Sequence, residues 1–270
     1  MRRPSIAGRK PLASSLTELP VHRFRSFDGE EIAYRELGPE DGGGRPIVLI
    51  HGFFSTATVN WLRYGHAARI AAEGYRVIMP DLRGHGDSTT PHDPAAYPKD
   101  ALADDGFALI AHLGLTDYDL GGYSLGGRTT MRMLARGAKP GRAIVGGMGL
   151  DGIVHTAGRG GHFRRILTNL GSFERGSPEW MAEGFLKTTG GDPVALLNVL
   201  DTFADTPIET VGTLQTPILV VCGQDDDDNG SSRALADALP RGELAIVPGN
   251  HMSAVTNKAL GEAMARFLAA

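Results

Sequence analysis

Six short, largely apolar runs limit most tightly what this chain can fold into: Ile47–Ile50, Tyr75–Met79, Tyr118–Tyr123, Ala143–Val145, Ile218–Val221 and Leu244–Val247. They are too short for helices and lack the alternation of a half-exposed strand. Runs of this kind are strands buried on both faces, as in a parallel sheet covered by helices. Helical patterns lie between them. Leu102, Leu109, Ile110 and Leu113 share one helical face, and so do Leu260, Met264, Phe267 and Leu268. Strands alternating with helices imply βαβ units and an α/β fold. At the start, Val21–Phe27 and Glu30–Leu37 flank Asp28-Gly29, a favoured two-residue turn, which predicts an antiparallel hairpin.

One stretch breaks the alternation. From 152 to 212 no strand run occurs, and helix-like pieces at Phe163–Leu170, Pro178–Lys187 and Pro193–Phe203 are punctuated by glycines. An insertion in a parallel sheet emerges most naturally at the carboxyl edge of the strands, where ligands bind. The expected organisation is therefore a core at 21–151 and 213–270, a small helical lid at 152–212, and a flexible arm at 1–20. The arm carries Arg2, Arg3, Arg9 and Lys10 but no apolar run of a signal peptide. Without an export signal or an apolar stretch of about 20 residues, a cytoplasmic protein with no membrane span is expected.

Composition narrows the chemistry. The net charge is −4, against nucleic acid as a main partner. Cys222 is the single cysteine, which excludes an internal disulfide and zinc sites built on paired cysteines. No phosphate-binding Gly-x-x-x-x-Gly-Lys occurs, and the glycines before the predicted third helix do not fit a dinucleotide fingerprint.

Gly122-Tyr123-Ser124-Leu125-Gly126 follows a predicted strand and precedes a predicted helix, the context of a nucleophile elbow. Glycine on either side of the serine removes side chains that would clash in so sharp a turn. The following helix start favours negative charge beside the serine. A serine hydroxyl needs a base, and the base an orienting carboxylate. His251, in Pro248-Gly249-Asn250-His251, directly follows the last apolar run. Cys222-Gly223-Gln224-Asp225-Asp226-Asp227-Asp228 supplies carboxylates directly after the preceding one. The order serine, aspartate, histidine is the one expected for this elbow. The Asp run lacks the alternating spacing of a calcium loop.

With these residues the chain resembles the α/β-hydrolase fold family from Val21 to Leu268. His51-Gly52-Phe53-Phe54, Asp81-Leu82-Arg83-Gly84-His85-Gly86-Asp87-Ser88, the Ser124 elbow, Gly223-x-x-Asp226 and Gly249-Asn250-His251 carry the likeness. The resemblance implies a mostly parallel twisted sheet with an antiparallel N-terminal hairpin and helices on both faces. It implies oxyanion-hole N–H groups at Phe53 and Leu125. Its spacing selects Asp226 as the acid, with Asp225, Asp227 and Asp228 as neighbours. Members that place the acid after the sixth strand would use Asp151 instead. His51 would hold the oxyanion loop, and His85 would be structural.

Phe54, Tyr123, Phe163, Trp180 and Phe185 are candidate pocket walls, which suit a small or medium apolar ester. The expected activity is a serine carboxylesterase, without cofactor or metal. Serine at the elbow argues against the dehalogenases and epoxide hydrolases of the family, which need aspartate there. Carbon–carbon hydrolases, thioesterases, lactonases and perhydrolases share the triad. A carbon–carbon hydrolase would need paired basic groups, for which Arg128 with Arg159 or Arg164 are candidates. A ligand receptor on the same fold would bind with little turnover.

Overall fold

The computed structural model describes residues 19–39 and 42–270, apart from the side chains of 157–159. All but the last two residues of the expected arm lie outside the described residues. The first half contains β1 (His22–Arg25), β2 (Glu31–Leu37), β3 (Arg45–Ile50), α1 (His66–Ala72), β4 (Tyr75–Pro80), α2 (Ala101–His112), β5 (Asp119–Tyr123) and α3 (Leu125–Ala135). Next come β6 (Ala143–Gly146), α4 (Leu150–Val154), α5 (Ala157–Thr168), α6 (Pro178–Thr189), α7 (Pro193–Asp201) and α8 (Ile208–Val211). The chain closes with β7 (Ile218–Gly223), α9 (Ser232–Ala238), β8 (Gly242–Val247), α10 (His251–Ala254) and α11 (Lys258–Ala269).

The eight strands form one sheet in the order β1-β2-β4-β3-β5-β6-β7-β8. β2 runs antiparallel to β1 and β4, and the remaining pairs are parallel. β3 shows why the apolar runs had no polar alternation. Val48 and Ile50 pack with Leu102, Leu109 and Met133 from α2 and α3 on one face. Ile47 and Leu49 pack with Ile70, Leu260 and Met264 from α1 and α11 on the other. Both faces are covered, so both residue sets must be apolar.

The order of strands reverses at β3, whose sequence successor β4 lies on one side and β5 on the other. Such a switch point opens a crevice at the carboxyl ends of the strands. His51-Gly52-Phe53 leaves β3 there, and Ser124 leaves β5 beside it.

The hairpin is present, but not with a two-residue turn. Gly29 N donates to Ser26 O at 3.1 Å, and Ser26 N to Glu30 O at 2.8 Å, leaving Phe27-Asp28-Gly29 as a three-residue loop. A two-residue type I′ turn needs positive φ at both central residues. Here Gly29 has φ 92° and Asp28 does not join it.

Helices α4–α8 fill the stretch between β6 and β7. Ile166, Leu167, Leu186, Leu196 and Val199 from α5–α7 are buried in the same apolar cluster as α2 and α3. Helix α5 begins at Ala157, earlier than the glycines suggested, because its packed face outweighs their low helix propensity. Among the described residues, no helix is long and apolar enough to cross a membrane.

Candidate active site

Ser124 sits at φ 55°, ψ −115°, a strained conformation for a residue with a Cβ. The strain follows from the sharpness of the β5–α3 turn. A Cβ on Gly126 would lie 1.9 Å from Ile50 O, and one on Gly122 2.3 Å from the Gly126 carbonyl carbon. Both glycines are therefore required by contact with β3 and α3. Across the turn, Gly52 packs so closely that its Cβ would meet Ser124 Cβ at 3.3 Å.

His251 enters from the other end of the sheet, at the start of α10. Its loop is fixed by a capping box, with Asn250 Oδ1 accepting from Met252 N and Ser253 N, and Ser253 Oγ accepting from Asn250 N. His251 Nε2 is 2.9 Å from Ser124 Oγ. Both oxygens of Asp226 face Nδ1, at 3.1 and 3.0 Å. The carboxylate is only 2 % exposed. A carboxylate on Nδ1 fixes the proton there and leaves Nε2 to accept the serine hydroxyl proton. Asp226 is thus the carboxylate brought to the imidazole. Asp151 is exposed at the start of α4, against Gly230. Asp226, Asp228 and His251 also offer ligand atoms within 4.8 Å of one another. A cation there would compete with the Nδ1 proton that the two Asp226 oxygens already share.

Phe53 follows Gly52, and Leu125 opens α3. Among the described residues, neither N–H donates to a backbone acceptor outside the regular elements. Two such donors beside the Ser124 hydroxyl are placed where an oxyanion could be held. The loop bearing Phe53 is held from behind. Gly52 N donates to Asn60 Oδ1 at 3.1 Å. His51 Nδ1 lies 2.8 Å from Gly52 O, and Leu82 N donates to His51 Nε2 at 2.9 Å. Full burial lowers the His51 pKa to about 4, which keeps it neutral and able to accept from Leu82. Asp81 anchors the adjoining loop, accepting from Ala57 N at 2.7 Å and Arg35 at 3.1 Å.

The aromatic candidates separate into distinct places. Phe53 stacks on Phe54 at 4.5 Å between ring centres, and Phe163 from α5 meets both edge-on at 4.9 and 5.3 Å. Phe185 packs half-buried in the same cluster. Trp180 does not join them, being 41 % exposed on α6. Tyr123 points to the opposite face of the sheet, in the core with Ile47 and Leu219. Its hydroxyl donates to the His251 carbonyl rather than facing a substrate. Burial pushes its pKa well above the usual value, so it stays a donor.

Phe203 and Asn60 were not picked out by sequence as parts of this neighbourhood, and Arg128 was named only as one candidate of a basic pair. Arg128 is buried, its Nε donating to Gly152 O at 3.0 Å and its guanidinium lying 4.6 Å over the Phe203 ring. Arg164 pairs with Asp201 on the surface. Arg128 and Arg164 are thus each engaged by separate partners, and the Arg159 side chain lies outside the described residues. Cys222 is buried, its Sγ 3.3 Å from Met148 O and its pKa raised to about 12 by burial, which makes it inert.

A model of the alpha/beta hydrolase family matches residues 47–263. The chain belongs to the alpha/beta hydrolase family. This hydrolase is 30 % identical over 266 residues to non-heme chloroperoxidase CPO-A1 of Kitasatospora aureofaciens, covering 83 % of this chain and 89 % of that one. A shorter match, 32 % over 109 residues, joins 40 % of the hydrolase to 37 % of the bifunctional esterase/perhydrolase DCH of Acinetobacter calcoaceticus. Among solved structures, a thermophilic esterase from Thermogutta terrifontis superposes with a TM-score of 0.73 at 23 % identity, over 92 % of this chain and 98 % of that one. At that identity the likeness is one of fold.

Proposed function

We propose that this hydrolase cleaves small or medium carboxylic esters through an acyl-enzyme on Ser124. The observation that carries the reading is the unbroken line from Ser124 Oγ through His251 to Asp226, at 2.9 Å and then 3.0 Å. His251 Nε2 takes the hydroxyl proton as Ser124 Oγ bonds to the ester carbonyl carbon. Asp226 stabilises the imidazolium and does not take its proton. The tetrahedral oxyanion is held by the Phe53 and Leu125 N–H groups. The carbon–oxygen bond to the alcohol breaks as His251 returns the proton to the leaving oxygen. Water, deprotonated by His251, then attacks the acyl carbon, and Ser124 leaves with that proton as the acid is freed. The apolar cluster of Phe53, Phe54 and Phe163 favours an apolar acyl group, with α5–α7 serving as the lid.

A second reading has its own support. The relatives include a non-heme chloroperoxidase and an esterase/perhydrolase. The same acyl-enzyme, attacked by hydrogen peroxide instead of water, would release a peracid. No extra group is required, since His251 can deprotonate either nucleophile.

The test is a fluorophosphonate adduct located by mass spectrometry, with p-nitrophenyl acetate and butyrate turnover on wild type and Ser124→Ala. The expected result is an adduct on Ser124 and a loss of several orders of magnitude in the variant. No adduct and equal slow turnover would overturn the reading and favour a binding protein on this fold. Peracid formation from acetate ester and peroxide tests the second reading.

A further inference from the structure

The chain that leaves β3 makes a tight turn over Gly52-Phe53-Phe54-Ser55. Gly52 O accepts from Ser55 N at 3.2 Å and lies 2.8 Å from His51 Nδ1. Those contacts shape the turn. How the turn leaves β3 is set by the Gly52 N–H, which donates to Asn60 Oδ1 at 3.1 Å. Gly52 lacks a Cβ, so rotation there would swing the whole turn at little steric cost. A Cβ on Gly52 would lie 3.7 Å from Asn60 Oδ1 and 3.3 Å from Ser124 Cβ, so the amide and the serine meet across one glycine.

The turn needs such a hold. Phe54 has φ 61°, a conformation rare for a bulky side chain. Strain of this kind persists only where the surroundings over-determine it. Asn60 is buried in the helical turn Thr58–Leu62, which is wound wider than an α-helix, with Arg63 N donating to Thr58 O at 2.9 Å. Wide turns of this type are frequent at functional sites. Trp61 packs in the cluster of Ile47 and Leu49, which fixes the segment to the strand that Gly52 follows. Among the described residues, Asn60 Nδ2 has no hydrogen-bond partner. Burying an unpaired amide N–H is unfavourable, and a leucine of similar size would avoid it. What the Asn60 side chain contributes is therefore its acceptor.

We propose that Asn60 is a positioning residue, whose Oδ1 takes up the Gly52 N–H and so holds the strained Gly52–Ser55 turn with the Phe53 N–H toward Ser124. The proposal rests on the ester-hydrolase reading, in which that N–H stabilises the oxyanion. Asn60 acts through the backbone and not on the reacting atoms, and the line from Ser124 through His251 to Asp226 uses none of its atoms. Without the acceptor, the Gly52 N–H is a buried donor left unpaired, and the strain at Phe54 is released by rotation at Gly52. The Phe53 N–H turns with it. A bound ester with a neutral carbonyl is affected little, whereas the oxyanion loses a donor.

The experiment measures kcat and KM for p-nitrophenyl acetate, and inhibition by trifluoroacetone, on wild type, Asn60→Ala, Asn60→Leu and Asn60→Asp. Trifluoroacetone bonds to the serine oxygen and places an oxyanion where the ester intermediate would have one. Asn60→Ala and Asn60→Leu should lower kcat by about 10-fold or more, with KM changed by less than about 3-fold. Trifluoroacetone affinity should fall by the same factor as kcat/KM, and the pH midpoint of kcat/KM should stay in place. Asn60→Asp keeps an acceptor, with burial favouring its neutral form, and should lie closer to wild type than Asn60→Leu. Asn60→Leu fills the space of the amide, so the test stands if the alanine variant folds poorly. An unchanged kcat in Asn60→Leu would overturn the proposal. So would a lowered kcat with trifluoroacetone affinity intact, since the loss would then lie outside the oxyanion contacts. Asn60→Asp no better than Asn60→Leu would overturn the acceptor as the reason. Absence of Ser124-dependent acetate hydrolysis in wild type would be the separate failure of the ester reading.

Discussion

The Tyr123 hydroxyl donates to the backbone carbonyl of His251 across 2.7 Å, tying the loop of that histidine to the strand that ends at Ser124. The bond runs on the far side of the sheet from Phe53, and the two rings lie 5.4 Å apart. Tyr123→Phe removes the donor and leaves a buried carbonyl short of a partner. One such bond is worth about 0.5–1.5 kcal/mol. We expect kcat to fall by about 3–10-fold with KM nearly unchanged, because the loss misplaces His251 without touching Phe53, Phe54 or Phe163. Equal losses in kcat for ester cleavage and in fluorophosphonate labelling rate would support this. An unchanged kcat alongside a lowered Tm would reduce Tyr123 to a packing residue.

The carboxylates after β7 can be told apart by rate. Asp226 has both oxygens on His251, whereas Asp228 is exposed and Asp151 sits on another element. Asp226→Asn should lower kcat by about 10³–10⁴-fold, since an amide no longer fixes the imidazole tautomer. Asp228→Asn and Asp151→Asn should each stay within about 10-fold of wild type. If Asp226 and Asp228 instead hold a required cation with His251, a chelator would abolish turnover. We expect dialysis against chelator to leave kcat/KM unchanged.

The fold and the centre of the site were legible because each is written locally. Buried strands announce themselves as apolar runs, and the elbow needs Gly122 and Gly126 within a few residues of Ser124. Asp226 was selected by the spacing of the family the chain resembles, with Asp151 and the three adjacent aspartates left as alternatives, because only folding decides which carboxylate reaches His251. What was not legible depends on distant chain segments. Trp180 lies on an amphipathic helix, and nothing in that pattern says which face the core will cover. Tyr123 alternates with Gly122 across a strand buried on both sides, so its direction depends on the sheet as a whole. Phe203 lies past the end of α7 in a stretch without periodicity, and its meeting with Arg128 and Phe53 arises only on folding. The place of Arg128, a candidate for a basic pair by sequence, could not be read because its covering carbonyl, Gly152, comes from another element.

Buried neutral histidines should make stability fall on acidification. Burial lowers the pKa of His51 to about 4 and that of His85 to about 3. In the unfolded chain both return to about 6.5. Between these values the unfolded state binds protons that the folded state does not, so the unfolding free energy decreases as pH falls from about 6.5 toward 4. Above about 7 both states are neutral there and the effect vanishes. Denaturant titrations at pH 7, 6, 5 and 4.5 measure the slope. His85→Asn should flatten it by up to one proton, because the replacement does not titrate. A slope unchanged by His85→Asn would mean that His85 is protonated in the folded state.

The strained serine separates chemistry from stability. At φ 55°, ψ −115°, Ser124 occupies the mirror image of the ordinary extended region, where a Cβ is penalised and glycine is not. Such a conformation costs about 1–3 kcal/mol. Ser124→Ala keeps the Cβ and therefore the strain, while Ser124→Gly releases it. Glycine gives back about 0.5–1 kcal/mol through the greater freedom of the unfolded chain. The net expectation is that Ser124→Gly is about 1 kcal/mol more stable than Ser124→Ala, although neither turns over ester. Urea midpoints of the two variants at equal slope measure the difference. A glycine variant no more stable than the alanine variant would show that the turn carries no net strain at Ser124, and that the geometry of the elbow is set by Gly122 and Gly126 alone.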